Sequence, residues 1–344
     1  MAYVTAGEIC QERVKEMTLI LGRQDVERLL TMELALEAVE EAFVEHGKGR
    51  TQIPNRLLLV LEEYRGAIGV MPAYMERLRA VGVKLICHHE DNPKKYNLPE
   101  SVGLVIYNDP VTGMPQAIMD CAYITRMRTG AATGVSVRYL ARADAQVVGI
   151  VGTGAQARSQ ITAINQVRHL KKVKAYDIDP KATARFLTEI ADLELEAEVV
   201  DSPQEACTDV DILVTCTPAC TPFVREEWLQ EGLHIAAVGA DMPQKRELCP
   251  GVYALADKWV TDLMNQALFT GEITDAIAEG AIREDTPYAT LDEIVTGQKC
   301  GREDDAEITI FKSTGMAIQD VATAKKVYEL ARERGIGLEV SITP

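Results

Sequence analysis

The stretch Val147-Val-Gly-Ile-Val-Gly-Thr-Gly-Ala-Gln-Ala-Arg158 restricts the fold of this chain more than any other. A short apolar run ends in Gly152-Thr153-Gly154 and flows through Ala155 and Gln156 into a helical pattern. A second apolar run, Val173-Lys-Ala-Tyr176, ends at Asp177. Strand, glycine turn, helix, strand, acid is the layout of a dinucleotide-binding half-fold. Gly152 permits the tight turn, and Gly154 lets a pyrophosphate approach without a Cβ in the way. The helix that follows aims unpaired N–H groups at the anion, and Asp177 stands where a carboxylate holds a ribose. Ala157 replaces the third glycine of the usual fingerprint. An ordinary strand-to-helix turn would share the glycines alone; both flanking strands and the spacing to Asp177 favour a dinucleotide. Asp177 is followed by Ile178-Asp-Pro180, with no arginine for a 2′-phosphate, so the expected cofactor is NAD.

With 344 residues the chain is long for one core and suggests about two domains. The net charge of −16 argues against nucleic acid or an anionic membrane as partner. No apolar run reaches the roughly 18 residues needed to span a bilayer. The first residues lack a basic region and a signal-type apolar core, so a cytoplasmic protein is expected. Eight cysteines, none in a C-x-x-C pair, read as buried reduced thiols.

Residues 8–48 alternate apolar and charged positions at helical spacing and predict one or two amphipathic helices. Strands are expected at 57–61, 67–71, 81–87 and 102–107, the last in a hairpin with 115–119 across the turn Asn108-Asp-Pro-Val-Thr-Gly113. A helix over 125–141 is rich in small residues, which suggests close packing against a backbone or a ligand. From about 143 the pattern alternates strand and helix: strands at 147–151, 173–176, 197–200, 211–215, 235–238, 259–261 and 307–311, and helices at 155–168, 180–192, 203–207 and 317–334. The expected class is α/β: a doubly wound Rossmann domain from about 143, after a mixed α+β first half.

Four charged residues near turns could carry chemistry. Lys84 sits inside the apolar run Val81-Gly-Val-Lys-Leu-Ile-Cys87. A lysine in a strand core is costly unless paired or used, and its pKa can fall there; an outward-facing lysine on an edge strand is the ordinary alternative. Arg56 and Arg128 lie beside turn or glycine-rich segments and suit bidentate capture of a carboxylate, with a surface ion pair as the alternative. Asp241 follows a strand of the parallel sheet, where such folds place ligands; a loop cap is its alternative. The loop Cys216-Thr217-Pro218 through Pro222 reads as cofactor lining. His88 and His89 are adjacent on a strand and point to opposite faces, so no metal site is expected.

Together these segments resemble the ornithine cyclodeaminase/mu-crystallin family over nearly the whole chain. The resemblance rests on Pro54-Asn-Arg56, Gly82-Val-Lys84-Leu, Asp91-Asn-Pro93, Asp109-Pro-Val-Thr-Gly113 and Thr125-Arg-Met-Arg-Thr-Gly-Ala-Ala132. It continues with Gly152-Thr-Gly-Ala-Gln156, Val238-Gly-Ala-Asp-Met-Pro-Gln-Lys-Arg-Glu247, Phe311-Lys-Ser-Thr-Gly315 and Ala317-Ile-Gln-Asp320. It implies an NAD-dependent enzyme acting on a small amino acid or its 2-oxo or imino acid, with ammonia as co-substrate. Arg56 and Arg128 would hold the substrate carboxylate, with Met71 and Gly315 beside it. Lys84 would polarise a carbonyl or carboxylate, and Asp241 would act as general acid/base. Thr129, Val238, Gly239 and Ser313 would join the cofactor site. The family also implies a homodimer formed through the first domain, with the helix after 320 crossing back to it, so that a discontinuous α+β domain of 1–140 and 320–344 flanks the Rossmann domain at 141–319.

The cyclodeaminase subgroup carries an acid just ahead of a Met-Pro turn. Here that stretch reads Ala67-Ile-Gly-Val-Met-Pro72 and has none. The sequence therefore looks closer to the alanine dehydrogenase or imino-acid reductase branch. A cyclodeaminase-type lyase that recycles its NAD, and a non-enzymatic mu-crystallin-like binder of NAD(P)H, are the alternatives.

Overall fold

The structure, a computed structural model, describes residues 17–342. The chain opens with β1 (Thr18–Leu21), α1 (Arg23–Leu29) and α2 (Met32–Gly47). Next come β2 (Thr51–Gln52), β3 (Leu57–Leu61), β4 (Gly66–Met75), β5 (Ala80–His89), β6 (Ser101–Asn108) and β7 (Pro115–Asp120). A long helix, α3 (Cys121–Leu140), leads to β8 (Val147–Val151), α4 (Ala157–Val167), β9 (Lys172–Tyr176), α5 (Pro180–Glu189), β10 (Glu196–Val199) and α6 (Pro203–Cys207). Then follow β11 (Ile212–Thr215), β12 (His234–Ala237), α7 (Pro250–Leu255), β13 (Lys258–Thr261), α8 (Met264–Ala267) and α9 (Gly271–Ala278). The described chain closes with β14 (Ala289–Thr290), α10 (Leu291–Val295), β15 (Thr309–Lys312), α11 (Ala317–Arg334) and β16 (Leu338–Val340).

Two sheets result. The first runs β16-β1-β7-β6-β5-β4-β2, with β3 also paired to β4. It is mixed: β4 to β7 form an antiparallel meander, whereas β1 pairs β7 in parallel. The second runs β10-β9-β8-β11-β12-β15-β13-β14, and all its strand pairs are parallel. Its strands are buried on both faces and read as continuous apolar runs, as parallel strands do. The order reverses between β8 and β11, the point where doubly wound sheets bind their ligands.

The chain returns to its first sheet at the end. α11 packs on α2, α3 and β5, and β16 pairs with β1. The first half of α11 is buried all round, and the helix stops at Gly335 in the left-handed region. It begins at Ala317, so the return starts slightly ahead of the boundary expected at 320.

Three expectations need correction. Helical spacing over 8–48 holds only in α1 and α2; Thr18-Leu-Ile-Leu21 is a strand, because pairing with β7 and β16 prevails over local periodicity. Residues 8–16 lie outside the described residues. Met71-Pro72 is no turn but the middle of β4, with Met71 opposite Lys84. Cys220 and Cys300 are exposed, while Cys121 and Cys207 are buried as expected. The small residues of α3 pack against a backbone: a Cβ on Gly130 would lie 2.4 Å from the Ser159 carbonyl oxygen on α4. Among the described residues, no helix is long and apolar enough to cross a membrane.

Candidate active site

Lys84 faces inward from β5, in the interior of the first sheet, and is only 2 % exposed. Its Nζ donates to Asp320 Oδ1 at 3.0 Å, across a sequence separation of 236 residues. The same oxygen accepts from Arg128 Nε at 3.1 Å, and Arg128 Nη1 donates to Gln319 Oε1 at 2.9 Å. Asp320 and Gln319 sit in the first turn of α11; Arg128 comes from α3. One buried carboxylate therefore serves two buried cations. Burial pulls the Lys84 ammonium below its usual pKa and Arg128 adds to that, while Asp320 opposes it. Such a lysine is suited to polarising a carbonyl or exchanging a proton.

Next to this cluster runs the turn Ser313-Thr314-Gly315. Buried Asp262 shapes it, accepting from the Thr314 hydroxyl at 2.6 Å and the Gly315 N–H at 2.7 Å, and from Ser313 Oγ at 3.3 Å. Gly315 has φ +80°, and a Cβ there would lie 2.5 Å from Arg128 Nη1. Arg56 reaches the same turn from the other side, its Nη2 donating to the Thr314 carbonyl at 3.2 Å. Arg56 Nε is buried with no protein partner, which suits it to a ligand anion.

Arg56 and Asp241 line one open cleft of about 290 Å³, together with Asn55, Asn265 and Phe269. Asn265 Nδ2 donates to Asn55 Oδ1 at 3.0 Å, bridging the two halves of the molecule. Asp241 is partly exposed and accepts from Lys245 Nζ at 2.7 Å. Burial alone would raise its carboxyl; Lys245, then Arg56 and Lys312, outweigh that and hold it below the ordinary carboxylate range. The contacts thus run Lys84, Asp320, Arg128, Gly315, Thr314, Arg56, and Arg56 shares its cleft with Asp241. Of the four charged residues singled out in the sequence, Lys84, Arg128 and Arg56 are linked through Asp320 and the 313–315 turn, and Asp241 lines the cleft with Arg56.

The cofactor candidates lie along the carboxyl ends of the parallel strands. Gly152 has φ +94°, and a Cβ there would press 2.8 Å from the Cys216 carbonyl oxygen. A Cβ on Gly154 would meet nothing within 4 Å: that face is open, as a passing pyrophosphate requires. Ala155 and Gln156 lead into α4, which starts at Ala157. Asp177 Oδ2 accepts from the Thr153 N–H at 2.7 Å and hydroxyl at 3.1 Å, so this acid also fastens the glycine turn. Ile178 beside it is 89 % exposed. Cys216 Sγ donates to the Gly152 carbonyl at 3.0 Å; Thr217 and Pro218 follow it in the loop after β11. Burial raises the Cys216 thiol well above its usual pKa, in keeping with a lining rather than a reactive role. Val238 and Gly239 continue β12, their N–H groups both donating to the Thr215 carbonyl. Thr129 is buried on α3 beside Arg128. The residues present fit a dinucleotide.

Sequence reasoning gave no role to Asp320, Gln319, Asp262, Glu247, Glu272 or Lys312. Lys312 carried the same signal as Lys84, a lysine within an apolar strand. The acids lie in segments whose local pattern reveals no partner.

A family model matches residues 16–335. The chain belongs to the ornithine cyclodeaminase/mu-crystallin family. It is 43 % identical over 323 residues to the alanine dehydrogenase of Archaeoglobus fulgidus, covering 94 % of this chain and 98 % of that one. Among solved structures it is similar to an archaeal alanine dehydrogenase dimer with bound NAD, at TM-score 0.90 and 43 % identity, covering 95 % of this chain and all (100 %) of the other. It is equally similar to the Thermococcus litoralis Δ1-pyrroline-2-carboxylate reductase in complex with NADH and L-proline, at TM-score 0.91 and 42 % identity, covering 94 % of this chain and 100 % of the other.

Proposed function

We propose that Arg56 and Arg128 hold the carboxylate of a small α-amino or α-imino acid, that Lys84 polarises the reacting group, and that Asp241 moves the proton at nitrogen. The chain is an oxidoreductase of amino and imino acids that uses NAD(H). When bound, the reduced nicotinamide supplies a hydride to the substrate α-carbon, and the reverse reaction returns it. Ammonia is the co-substrate when a 2-oxo acid is reduced.

The supporting observation is the unbroken set of contacts from Lys84 through Asp320, Arg128 and the 313–315 turn to Arg56. It links two guanidinium groups and an ammonium, of which Arg56 lines the cleft, while Asp320 cancels only one of those charges. The positive charge that remains suits the carboxylate of a substrate. Asp241, held as a carboxylate by Lys245, is ready to accept a proton from a substrate ammonium or from water attacking an imine. Met71, directly opposite Lys84 in the strand register, fills the apolar side of the site.

The cyclodeaminase reading needs an acid for a second ammonium, and Ala67–Pro72 of β4 supplies none. The pure binding-protein reading leaves Lys84 and Asp241 without a task. We read residues 1–140 with 320–344 as the substrate-binding and dimerisation domain and 141–319 as the dinucleotide domain. β3 exposes Leu57 to Val60 at 42–62 % each, an apolar strand of the kind that marks an interface, and we assign it to a homodimer.

The test is a panel of glyoxylate, pyruvate and oxaloacetate with ammonia or methylamine, followed as NADH oxidation, beside ammonia release from ornithine. Asp241→Asn should bind NADH normally and lose at least about a hundredfold in kcat, the scale of a placed acid/base. Near-wild-type turnover of Asp241→Asn would remove Asp241 from the chemistry. Ammonia release from ornithine without net NADH change would favour the lyase.

A further inference from the structure

Beneath the cleft lies a second set of charges that the proposed chemistry does not use. Glu247, Glu272 and Lys312 are all buried. Glu247 Oε1 accepts from the Thr217 N–H at 2.6 Å and the Thr217 hydroxyl at 2.8 Å. Its Oε2 accepts from the Thr215 hydroxyl and the Gly239 N–H, both at 2.8 Å. Glu272 stands behind it: Oε2 accepts from the Glu247 N–H at 2.9 Å and the Leu248 N–H at 3.1 Å. Glu272 Oε1 accepts from the Tyr253 hydroxyl and from Lys312 Nζ, both at 2.6 Å. Lys312 Nζ also donates to the carbonyl of Ala240, the residue before Asp241.

Two carboxylates against one ammonium make a poor stabilising device, since well-packed apolar side chains would hold a core as well or better. Four directed bonds on one carboxylate achieve something apolar packing cannot. They fasten the end of β11 and the residues after it to Gly239 beyond the end of β12. These are neighbouring strands of the parallel sheet, and both loops lie at their ligand-binding ends. Gly239 is tied in turn to Asp241, whose N–H donates to the Gly239 carbonyl at 3.1 Å. Lys312 grips the same three-residue segment from β15.

We propose that Glu247 is a positioning residue for the reaction, fixing the loop that carries Asp241 in register with the cofactor loop at Thr215–Thr217. The proposal rests on the reading of Asp241 as acid/base. It is anchored by Glu272 and Lys312, so the register is set before any ligand binds. A shift of about 1 Å in a reacting group can lower a rate about 10²-fold, so a clamp of this kind has kinetic leverage.

Glu247→Gln replaces an oxygen with an N–H donor facing donors, so it cannot accept all four bonds. Thr215→Val keeps shape and removes one donor, without touching Glu247. Each variant and the double variant would be measured for kcat, the Michaelis constant of the oxo acid, NADH affinity by fluorescence, and the isotope effect with 4-deuterated NADH. Circular dichroism would report the folded fraction. Glu247→Gln should lose about tenfold or more in kcat, short of the ~10²-fold limit. Thr215→Val should lose less, and both should show a larger isotope effect with the oxo-acid Michaelis constant little changed. The double variant should be no worse than Glu247→Gln, because Thr215 acts through Glu247. Wild-type turnover in both single variants, losses that multiply in the double, or a Thr215→Val loss matched by unfolded protein would overturn the proposal. If Glu247→Gln does not fold, Thr215→Val decides by its rate and isotope effect. Asp241→Asn run in parallel separates the two readings. If it keeps its rate, Asp241 is not the acid/base. If it loses its rate while the folded Glu247 and Thr215 variants keep theirs, only the positioning role fails.

Discussion

Gly315 lies directly against the Arg128 guanidinium, so close that a Cβ at 315 would sit 2.5 Å from Nη1. Arg128 cannot simply swing away, because Asp320 and Gln319 hold two of its nitrogens in a buried setting. On the proposed reading of Arg128 as a carboxylate clamp, the glycine belongs to that clamp, although it carries no side chain.

Gly315→Ala should act as a substrate-binding lesion. The left-handed backbone at 315 adds strain of about 1–2 kcal/mol for any residue with a Cβ. Displacing the guanidinium forfeits a charge-assisted bond of roughly 1.5–3 kcal/mol. The Michaelis constant for the oxo acid should rise about tenfold or more, each 1.4 kcal/mol being tenfold, while NADH titrates as in the wild type. Arg128→Lys should show the same pattern, because it keeps the charge and loses the fork. Unchanged oxo-acid kinetics in both variants would refute the clamp.

Asp320→Asn should damage both stability and activity. It leaves Lys84 and Arg128 as neighbouring buried cations without their counter-charge, and breaking a buried pair in this way costs about 3–5 kcal/mol. Denaturant unfolding should show that loss. Lys84, already pulled down by burial, should fall further in pKa once Asp320 no longer opposes the shift. The basic limb of the pH–rate profile should move to lower pH in the folded fraction. Wild-type stability together with an unmoved basic limb would contradict this.

Lys245→Met should move the acidic limb. Lys245 is foremost among the groups that hold the Asp241 carboxyl low, with Arg56 and Lys312 behind it. In amino-acid oxidation Asp241 must be ionised, so activity falls as pH drops through its pKa. Removing Lys245 raises that pKa, and the acidic limb of kcat/KM should shift toward neutral pH. Lys245→Arg should restore it. A limb that stays in place in Lys245→Met would assign it to another group.

Asp177→Ser combined with Ile178→Arg should turn preference from NAD(H) toward NADP(H). The change removes the carboxylate that repels a 2′-phosphate and adds a cation for it. Asp177 also accepts two bonds from Thr153, so the variant should lose some affinity for both cofactors. Wild-type kinetics favouring NADPH tenfold would sink the assignment.

The fold was legible where local pattern and tertiary setting agree. The glycine turn, the hairpin over β6 and β7, and the helix ending at Gly335 follow from turn chemistry and periodicity alone. β1 was not legible, since Thr18 and three apolar residues become a strand only by pairing with segments near 117 and 339. The site divides the same way. Lys84 declares itself as a charge within an apolar strand, and Asp241 as one just past a strand of the parallel sheet. Asp320, Glu247 and Asp262 do not, because an acid on a helix or loop is ordinary until a distant partner is placed against it.

The join between Lys84 and Asp320 has a consequence for synthesis. Lys84 and Arg128 precede Asp320 in the chain by 236 and 192 residues, so during synthesis both cations exist before their carboxylate does. Only when α11 emerges can the first sheet close with its charges balanced. A chain cut short before residue 320 thus carries an internal fault: two cations with nowhere favourable to bury. A product that lacks Asp320 should be unstable as well as inactive, its two buried cations left without their counter-charge.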